Sequence, residues 1–308
     1  MKTRNKKVSV SIGIPAYNEE ANIKNLLMSL VAQKVTNFTL DTILVISDGS
    51  TDSTVREAKK IRDTRLTVIE SNQRRGLASR QNEIVKKMNC DFLILLDADI
   101  LPKDNLFISK LVQSHLENSK ADIVAAQVLP LESDTFFGRM IDWHKHWKRD
   151  LYEQINGGDC VFLCHGAARG FSRKAYKQIR WPKIWAEDAY SYLEAKKRSL
   201  RFSYCKEAVV YYRSPQTFQD HVMQSIRFIT SVKTLAPYFP IKQLRRAYKI
   251  PGRLFLTSMI KGFFHQPFFA VTYLVIYGYC QLLVRTGRVN SDLSIWEASS
   301  STKTLFMK

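Results

Sequence analysis

The sequence predicts an α/β protein: a mostly parallel, mixed sheet flanked by helices, followed by a separate helical region at the carboxyl end. Three observations predict this. β-Branched runs alternate with helical patterns up to about residue 130, the alternation then stops, and beyond residue 239 basic residues interleave with large apolar ones. The 308 residues suffice for one large domain, or for one domain with appendages. The natural divisions are 1–130, 131–238 and 239–308.

Runs at 8–14, 42–46, 66–69, 92–96 and 122–128 read as strands, and 19–32, 52–61, 77–88 and 103–117 as helices. Short strands separated by helices of this length imply right-handed crossovers and parallel pairing. Asn18 with Glu19 and Glu20, and Ser50 with Asp52, are suitable helix starts. The loops after the first, second and fourth strands then meet at the carboxyl edge, where open α/β sheets bind ligands. They carry residues 15–20, residues 48–52 and the triplet Asp97-Ala98-Asp99. Paired carboxylates at that edge suit a divalent cation shared with a phosphorylated ligand.

The middle third is less regular. Residues 136–154 read as an aromatic, basic helix with Trp143 and Trp147 four apart on one face. An apolar segment at 160–165, a glycine-containing loop at 166–173, a helix opened by Glu187-Asp188 and a strand near 208–212 follow.

Charge is unevenly placed. The formal net charge is +19, and no acidic residue lies between Asp220 and Asp292. Arg227, Lys233, Lys242, Arg245, Arg246, Lys249, Arg253, Lys261, Arg285 and Arg288 fall in that stretch. Such a block suits nucleic acid, an anionic membrane surface or a pyrophosphate-bearing ligand. Residues 241–261 resemble an interfacial amphipathic segment, broken at Pro251-Gly252. Residues 267–284 carry no charge and reach the lower length limit for crossing a bilayer, although Pro267, Thr272 and Gln281 also suit a buried or in-plane hairpin. An ordinary core helix with a solvated basic face is the competing reading.

The five cysteines form no metal-ligand or redox pattern; Cys160 and Cys164 read as core residues. An odd count fits a reducing compartment. Lys2, Arg4, Lys6 and Lys7 are basic, but the apolar run after them is too short, and too soon met by Pro15, for a signal peptide. The expected location is therefore the cytosolic side.

In order, the polar loops are Pro15-Ala16-Tyr17-Asn18-Glu19-Glu20, Ser47-Asp48-Gly49-Ser50-Thr51-Asp52, Arg74-Arg75-Gly76, Asp97-Ala98-Asp99, residues 166–173 and Glu187-Asp188. This series resembles the family 2 glycosyltransferases, which have a GT-A (Rossmann-like) fold. The resemblance implies inverting transfer of a sugar from a nucleotide-diphosphate donor, commonly a UDP-sugar, with Mg²⁺ or Mn²⁺. It assigns Pro15, Ala16, Asn18 and Glu19 to the nucleoside pocket and Asp48 to the base. A carboxylate facing an imide N–H is a specific reader. Arg75 and Gly76 match the loop that closes over the nucleotide, with a solvated turn as the alternative for Arg75.

The resemblance further implies that Asp97 touches ribose or sugar, that Asp99 ligates the metal and that Asp188, beside Glu187, is the general base. Without the other motifs, Glu187-Asp188 would read as acids favoured at a helix amino terminus. Gly166-Ala167-Ala168 resembles the loop framing the acceptor, and His165 before it faces the acceptor or is a satisfied core histidine. Gln224-Ser225-Ile226-Arg227-Phe228 resembles the Gln-x-x-Arg-Trp motif of membrane-bound members, with Arg227 for diphosphate and the aromatic for an acceptor sugar. Phe228 keeps a stacking face but lacks the indole donor, which weakens any inference of processivity.

The leading expectation is thus a metal-dependent glycosyltransferase at the cytosolic face of a membrane, serving a glycan or lipid-linked acceptor such as a cell-envelope polysaccharide. The alternatives are a soluble transferase with a packed or oligomerising tail, and a nucleic-acid-binding protein. Against the last, no zinc pattern, helix-turn-helix signature or RNA-binding aromatic motif is evident.

Overall fold

The computed structural model describes residues 7–117, 121–286 and 302–305; Lys2, Arg4, Lys6, Arg288 and Asp292 lie outside them. The first half runs β1 (Val8–Ala16), α1 (Ile23–Val31), β2 (Phe38–Ser47), α2 (Thr54–Lys59), β3 (Leu66–Ile69), α3 (Leu77–Lys87) and β4 (Phe92–Leu96). Then come β5 (Ile100–Pro102), α4 (Phe107–Glu117), β6 (Ile123–Pro130), α5 (Phe136–Glu153), β7 (Ala168–Ser172), α6 (Arg173–Gln178), α7 (Glu187–Lys197) and β8 (Phe202–Tyr212). Four helices close the order: α8 (Phe218–Leu235), α9 (Ile241–Ala247), α10 (Gly252–His265) and α11 (Pro267–Arg285).

Eight strands form one sheet in the order β3-β2-β1-β4-β7-β6-β8-β5. The pairs β1–β2, β1–β4, β2–β3 and β6–β8 are parallel, and β4–β7, β6–β7 and β5–β8 antiparallel. The sheet is mixed, as expected. Helices cover both faces, so β4 is apolar throughout rather than alternating. Phe92, Ile94 and Leu96 join the core beneath α1 and α4, while Leu93 and Leu95 join the core beneath α3, α6 and α7.

The strands at 66–69 and 92–96 fall where the pattern puts them. Residues 168–172, expected as loop, form β7 between β4 and β6, with Arg169 opposite Leu95. Its short, mixed sequence carries little strand signal, and pairing on both sides supplies what the pattern lacks. Likewise β8 begins at Phe202 rather than near residue 208, because exposed Lys206 and Glu207 interrupt the pattern where its register with β6 shifts.

The α5, α8, α10 and α11 helices build a second layer. Thr135 and Thr217 cap α5 and α8 by accepting hydrogen bonds from the N–H groups of Gly138 and Asp220. Ala270, Tyr273, Ile276 and Cys280 form the buried stripe of α11, with Ile276 and Cys280 against Met140 of α5 and Ile226 of α8. Phe268, Val271, Val275 and Leu282 remain exposed on its other side. Among the described residues, α11 is the one helix long and apolar enough to cross a membrane.

Close packing of β7 on β4 gives a test of the sheet. A Cβ on Gly170 would lie 2.1 Å from the Phe92 ring, which is itself stacked on His115 at 4.7 Å. Gly170→Ala is therefore expected to cost about 1–3 kcal/mol through overpacking. Urea denaturation should show it as a lower midpoint with an unchanged slope; an unchanged midpoint would mean the ring has room to move.

Candidate active site

The carboxyl ends of β1 and β2 are zipped together. Asn18, at φ 52°, accepts from the Thr51 N–H (2.9 Å), while its own N–H donates to Ser50 Oγ (3.1 Å). The N–H of Glu19 donates to Thr54 Oγ1 (2.7 Å) and that of Glu20 to Asp52 (3.1 Å). These bonds hold residues 17–22 in a turn, so α1 starts at Ile23 rather than at Glu19. Pro15 and Ala16 are buried at the end of β1.

Asp48 is nearly enclosed, and both of its oxygens are engaged. Oδ1 accepts from the Arg75 N–H (2.7 Å) and Arg80 Nε (2.6 Å), and Oδ2 from the Gly76 N–H (2.8 Å). Asp48 thus holds the 73–76 loop against the site. Breaking such a buried pair from one side typically costs ~3–5 kcal/mol. Gly49, at φ 74°, packs so close that a Cβ would lie 2.9 Å from the Arg74 nitrogen. The guanidinium of Arg74 lies 3.8 Å over the Tyr17 ring. The Arg75 side chain is exposed.

Below this, acids converge on the end of β4. The Asp97 N–H donates to Ala167 O (2.9 Å), tying the triplet to β7. Burial, then the charges of Asp99 and Asp188, raises Asp97 to about 7 against the pull of Arg169. Asp99 is also raised, by burial. Burial and the neighbouring Asp188 raise Glu187 to about 8. Glu19 reaches about 7 through burial and Asp99. Gly166 closes the ring, because a Cβ there would sit 2.9 Å from Glu187 Oε1 and 3.8 Å from Asp188 Cβ.

Arg169 lies under this cluster, fully buried. Its Nη1 donates to Ser191 Oγ (2.8 Å), and Nη2 stands 3.7 Å from Glu187 Oε1. Sequence reading passed over it as part of a loop. An arginine between small and aromatic residues in a strand is its only sequence signal, since a buried guanidinium demands carboxylate partners.

Asp97 and Asp99 offer only oxygen donors, and the burial that raises their affinity for protons is offset by a hard divalent cation. Among the described residues, no three His, Cys, Asp or Glu side chains close on a common metal position. An ion here would draw further ligands from solvent or a bound phosphate.

Lys303 was not foreseen, because nothing local in the sequence marks it. Its Nζ donates to Tyr17 O (2.8 Å) and to Glu19 Oε1, and its charge opposes the rise of Asp99. Asn22 fixes the segment by donating to Lys303 O (2.6 Å) and accepting from the Leu305 N–H (3.1 Å).

His165 opens towards a cavity of about 450 Å³ lined by residues from α5, α8, α10 and α11. His165 is solvent-accessible at the cavity, and desolvation by the protein around it lowers its imidazole to about 4, despite the opposing charge of Asp188. Gln224 and exposed Phe228 line the same cavity; Arg227 is half-buried on α8 and is not part of that lining.

A family model described as glycosyl transferase family 2 matches residues 11–180, more than half of the chain. The chain belongs to glycosyl transferase family 2. The match spans every acidic loop except Glu187-Asp188. The cellulose synthase catalytic subunit [UDP-forming] of Xanthomonas axonopodis pv. citri (strain 306) is 22% identical over 279 residues, 84% of this chain and 36% of that protein. The poly-beta-1,6-N-acetyl-D-glucosamine synthase of Staphylococcus aureus (strain COL) is 29% identical over 89 residues, 29% of this chain and 21% of that one. The matches thus span about a third of these relatives or less.

Solved structures share the fold. A mannosyltransferase from Pyrobaculum calidifontis, in complex with GDP-Man and Mn²⁺, has a TM-score of 0.58 at 18% identity, covering 92% of this chain and 80% of that one. Glucosyl-3-phosphoglycerate synthase from Mycobacterium tuberculosis, in complex with Mn²⁺, UDP and phosphoglyceric acid, has a TM-score of 0.55 at 19% identity, covering 79% and 80%. The family 2 glycosyltransferase therefore has a GT-A fold, as expected.

The proton held by Glu187 gives a pH signature. With its pKa raised from 4.5 to about 8, the folded chain binds more protons than the unfolded one between those values. Glu187 thus stabilises the fold below the lower value, and that stability is lost as pH rises through the upper one. A glutamine at this position would not titrate. The melting temperature of Glu187→Gln minus that of the wild type should therefore rise between about pH 5 and about pH 9; a flat difference would remove the proton from Glu187.

Proposed function

We infer that this family 2 glycosyltransferase moves a sugar, with inversion, from a nucleotide-diphosphate donor to an acceptor entering through the cavity beside His165. The convergence of Asp97, Asp99, Glu187 and Asp188 around Gly166 and Arg169 carries this reading. UDP-sugar is the leading donor. Asp99, with Asp97 beside it, would hold Mg²⁺ or Mn²⁺, which neutralises charge on the departing diphosphate.

Asp188 takes the proton of the acceptor hydroxyl as that oxygen attacks the anomeric carbon and the bond to diphosphate breaks. Arg169 limits the repulsion between Asp97 and Glu187. Residues 15–19, Asp48, Arg75 and Gly76 shape the nucleoside pocket. In that pocket Asp48, expected to read the base, has both oxygens taken by Arg75, Gly76 and Arg80, so it fixes the loop that covers the nucleotide. Lys303 adds positive charge beside Glu19. Residues 1–130 serve the donor and 131–238 the acceptor and catalysis.

Of residues 239–308, the described helices up to residue 286 place the enzyme on a membrane, whereas 302–305 return to the acidic edge. Exposed Leu256, Phe264, Phe268 and Val275 on α10 and α11, with Arg245, Arg246, Arg253 and Lys261 nearby in sequence, support contact with an anionic surface. All five cysteines are buried thiols, in keeping with the cytosolic side.

Asp188→Asn should lower kcat by about 10²–10⁴-fold while leaving binding of Mn²⁺–UDP nearly unchanged. Turnover at the wild-type rate would exclude Asp188 as the base. Asp99→Asn should remove the manganese dependence of nucleotide binding, measured by calorimetry; full retention would move the ion elsewhere. The double variant Leu256→Glu, Phe264→Glu should no longer sediment with anionic liposomes, and unaltered sedimentation would put the membrane contact on another face.

A further inference from the structure

The cavity beside His165 combines aromatic walls with basic groups. Trp147, Tyr152, Phe162, Tyr248 and Phe255 are among the aromatic residues that line it. Its polar content is mainly basic: Lys145 and Lys148, one turn apart on α5, both line it, and no aspartate or glutamate is among its described lining residues. Lys145 Nζ donates to Gln224 Oε1 (3.1 Å), and Lys148 Nζ to the Tyr273 hydroxyl (3.3 Å). Neither makes an ion pair with a carboxylate among the described residues.

Two ammonium groups in an apolar hollow cost free energy unless an anion joins them. Burial lowers Lys145 to about 8, and burial with the charge of Lys145 lowers Lys148 to about 7. His144, enclosed behind them, has neither ring nitrogen hydrogen-bonded. Buried Asp142, one turn before Lys145 on α5, is the carboxylate whose charge reaches Lys145, and the described lining itself adds no negative charge.

The rest of the cavity indicates what carries that charge. Its outer wall is α10 and α11, through Phe255, Met259, Tyr273, Leu274 and Tyr277. The same helices expose Leu256, Phe264, Phe268 and Val275 to the outside. One layer of helix therefore separates the cavity from the apolar face assigned above to the membrane. At its other end lies His165, close enough to Asp188 and Lys145 to feel both charges.

We propose that this cavity is the acceptor site for a phosphate-bearing lipid, with the phosphate between Lys145 and Lys148 and the chain running between the aromatic walls towards α10 and α11. The assignment rests on the transferase reading, and narrows its acceptor to an anionic amphiphile. A neutral glycan would bring no counter-charge to either ammonium group.

The test is binding to the full chain, by calorimetry or tryptophan fluorescence, with dodecyl phosphate, dodecanol, inorganic phosphate and cellotetraose as probes. Dodecyl phosphate is expected to bind at least about tenfold more tightly than each of the others, since a charge-assisted contact in an enclosed site is worth about 1.5–3 kcal/mol. The Lys145→Met, Lys148→Met variant should lose that preference while keeping Mn²⁺–UDP binding, which also reports that it folds. Lys145→Arg, Lys148→Arg should retain the preference. Equal binding of dodecanol would overturn the anion assignment, equal binding of inorganic phosphate the lipid, and preferred binding of cellotetraose both. A wild type that binds dodecyl phosphate but no nucleotide would instead count against the donor site.

Discussion

The buried guanidinium of Arg169 makes the rest of the site possible. It stands fully enclosed beneath Asp97 and Glu187, lowering the cost of placing carboxylates together where β4, β7 and α7 meet. Compensation is incomplete, since Asp97 and Glu187 still hold protons more tightly than free acids do. That uncompensated burial, with the charge of the neighbouring acids, is what a divalent cation and its diphosphate would use. β7 runs antiparallel between β4 and β6 and carries Arg169 to these acids, with Gly166 just before it against Glu187.

Two further devices serve the same edge. Asp48 gathers Arg75, Gly76 and Arg80, so the loop over the nucleotide pocket is preorganised rather than assembled on binding. Lys303 reaches back to Glu19 and Tyr17, bringing a cation from the far end of the chain to the acidic edge. On the opposite side, the second helical layer converts an amphipathic tail into a cavity wall. The exposed apolar face of α10 and α11 and the enclosed aromatic face behind it are two sides of one structure.

The donor half was legible because its information is local. Apolar runs bounded by Asp48 or Asp97 mark strands whose ends must carry chemistry, and the polar loops fall in the family order. The remainder depends on contacts between distant segments. β7 lacks a strand pattern and exists through pairing with β4 and β6. Arg169 therefore looked like a loop residue. Lys303 meets Asn22 across 281 positions, a separation no periodicity can encode. The aromatic face of α5 was visible in Trp143 and Trp147, but its lysines gained meaning only when α8 and α11 closed over them.

Asp97, at the end of β4, is raised to about 7, and a cation–diphosphate bound beside it would displace the proton it holds. Calorimetric titration of the wild type with preformed Mn²⁺–UDP near neutral pH, repeated in buffers of different ionisation enthalpy, counts the protons exchanged on binding. The account predicts net proton release, seen as a binding heat that varies linearly with buffer enthalpy. Tight binding with no dependence on the buffer would contradict it.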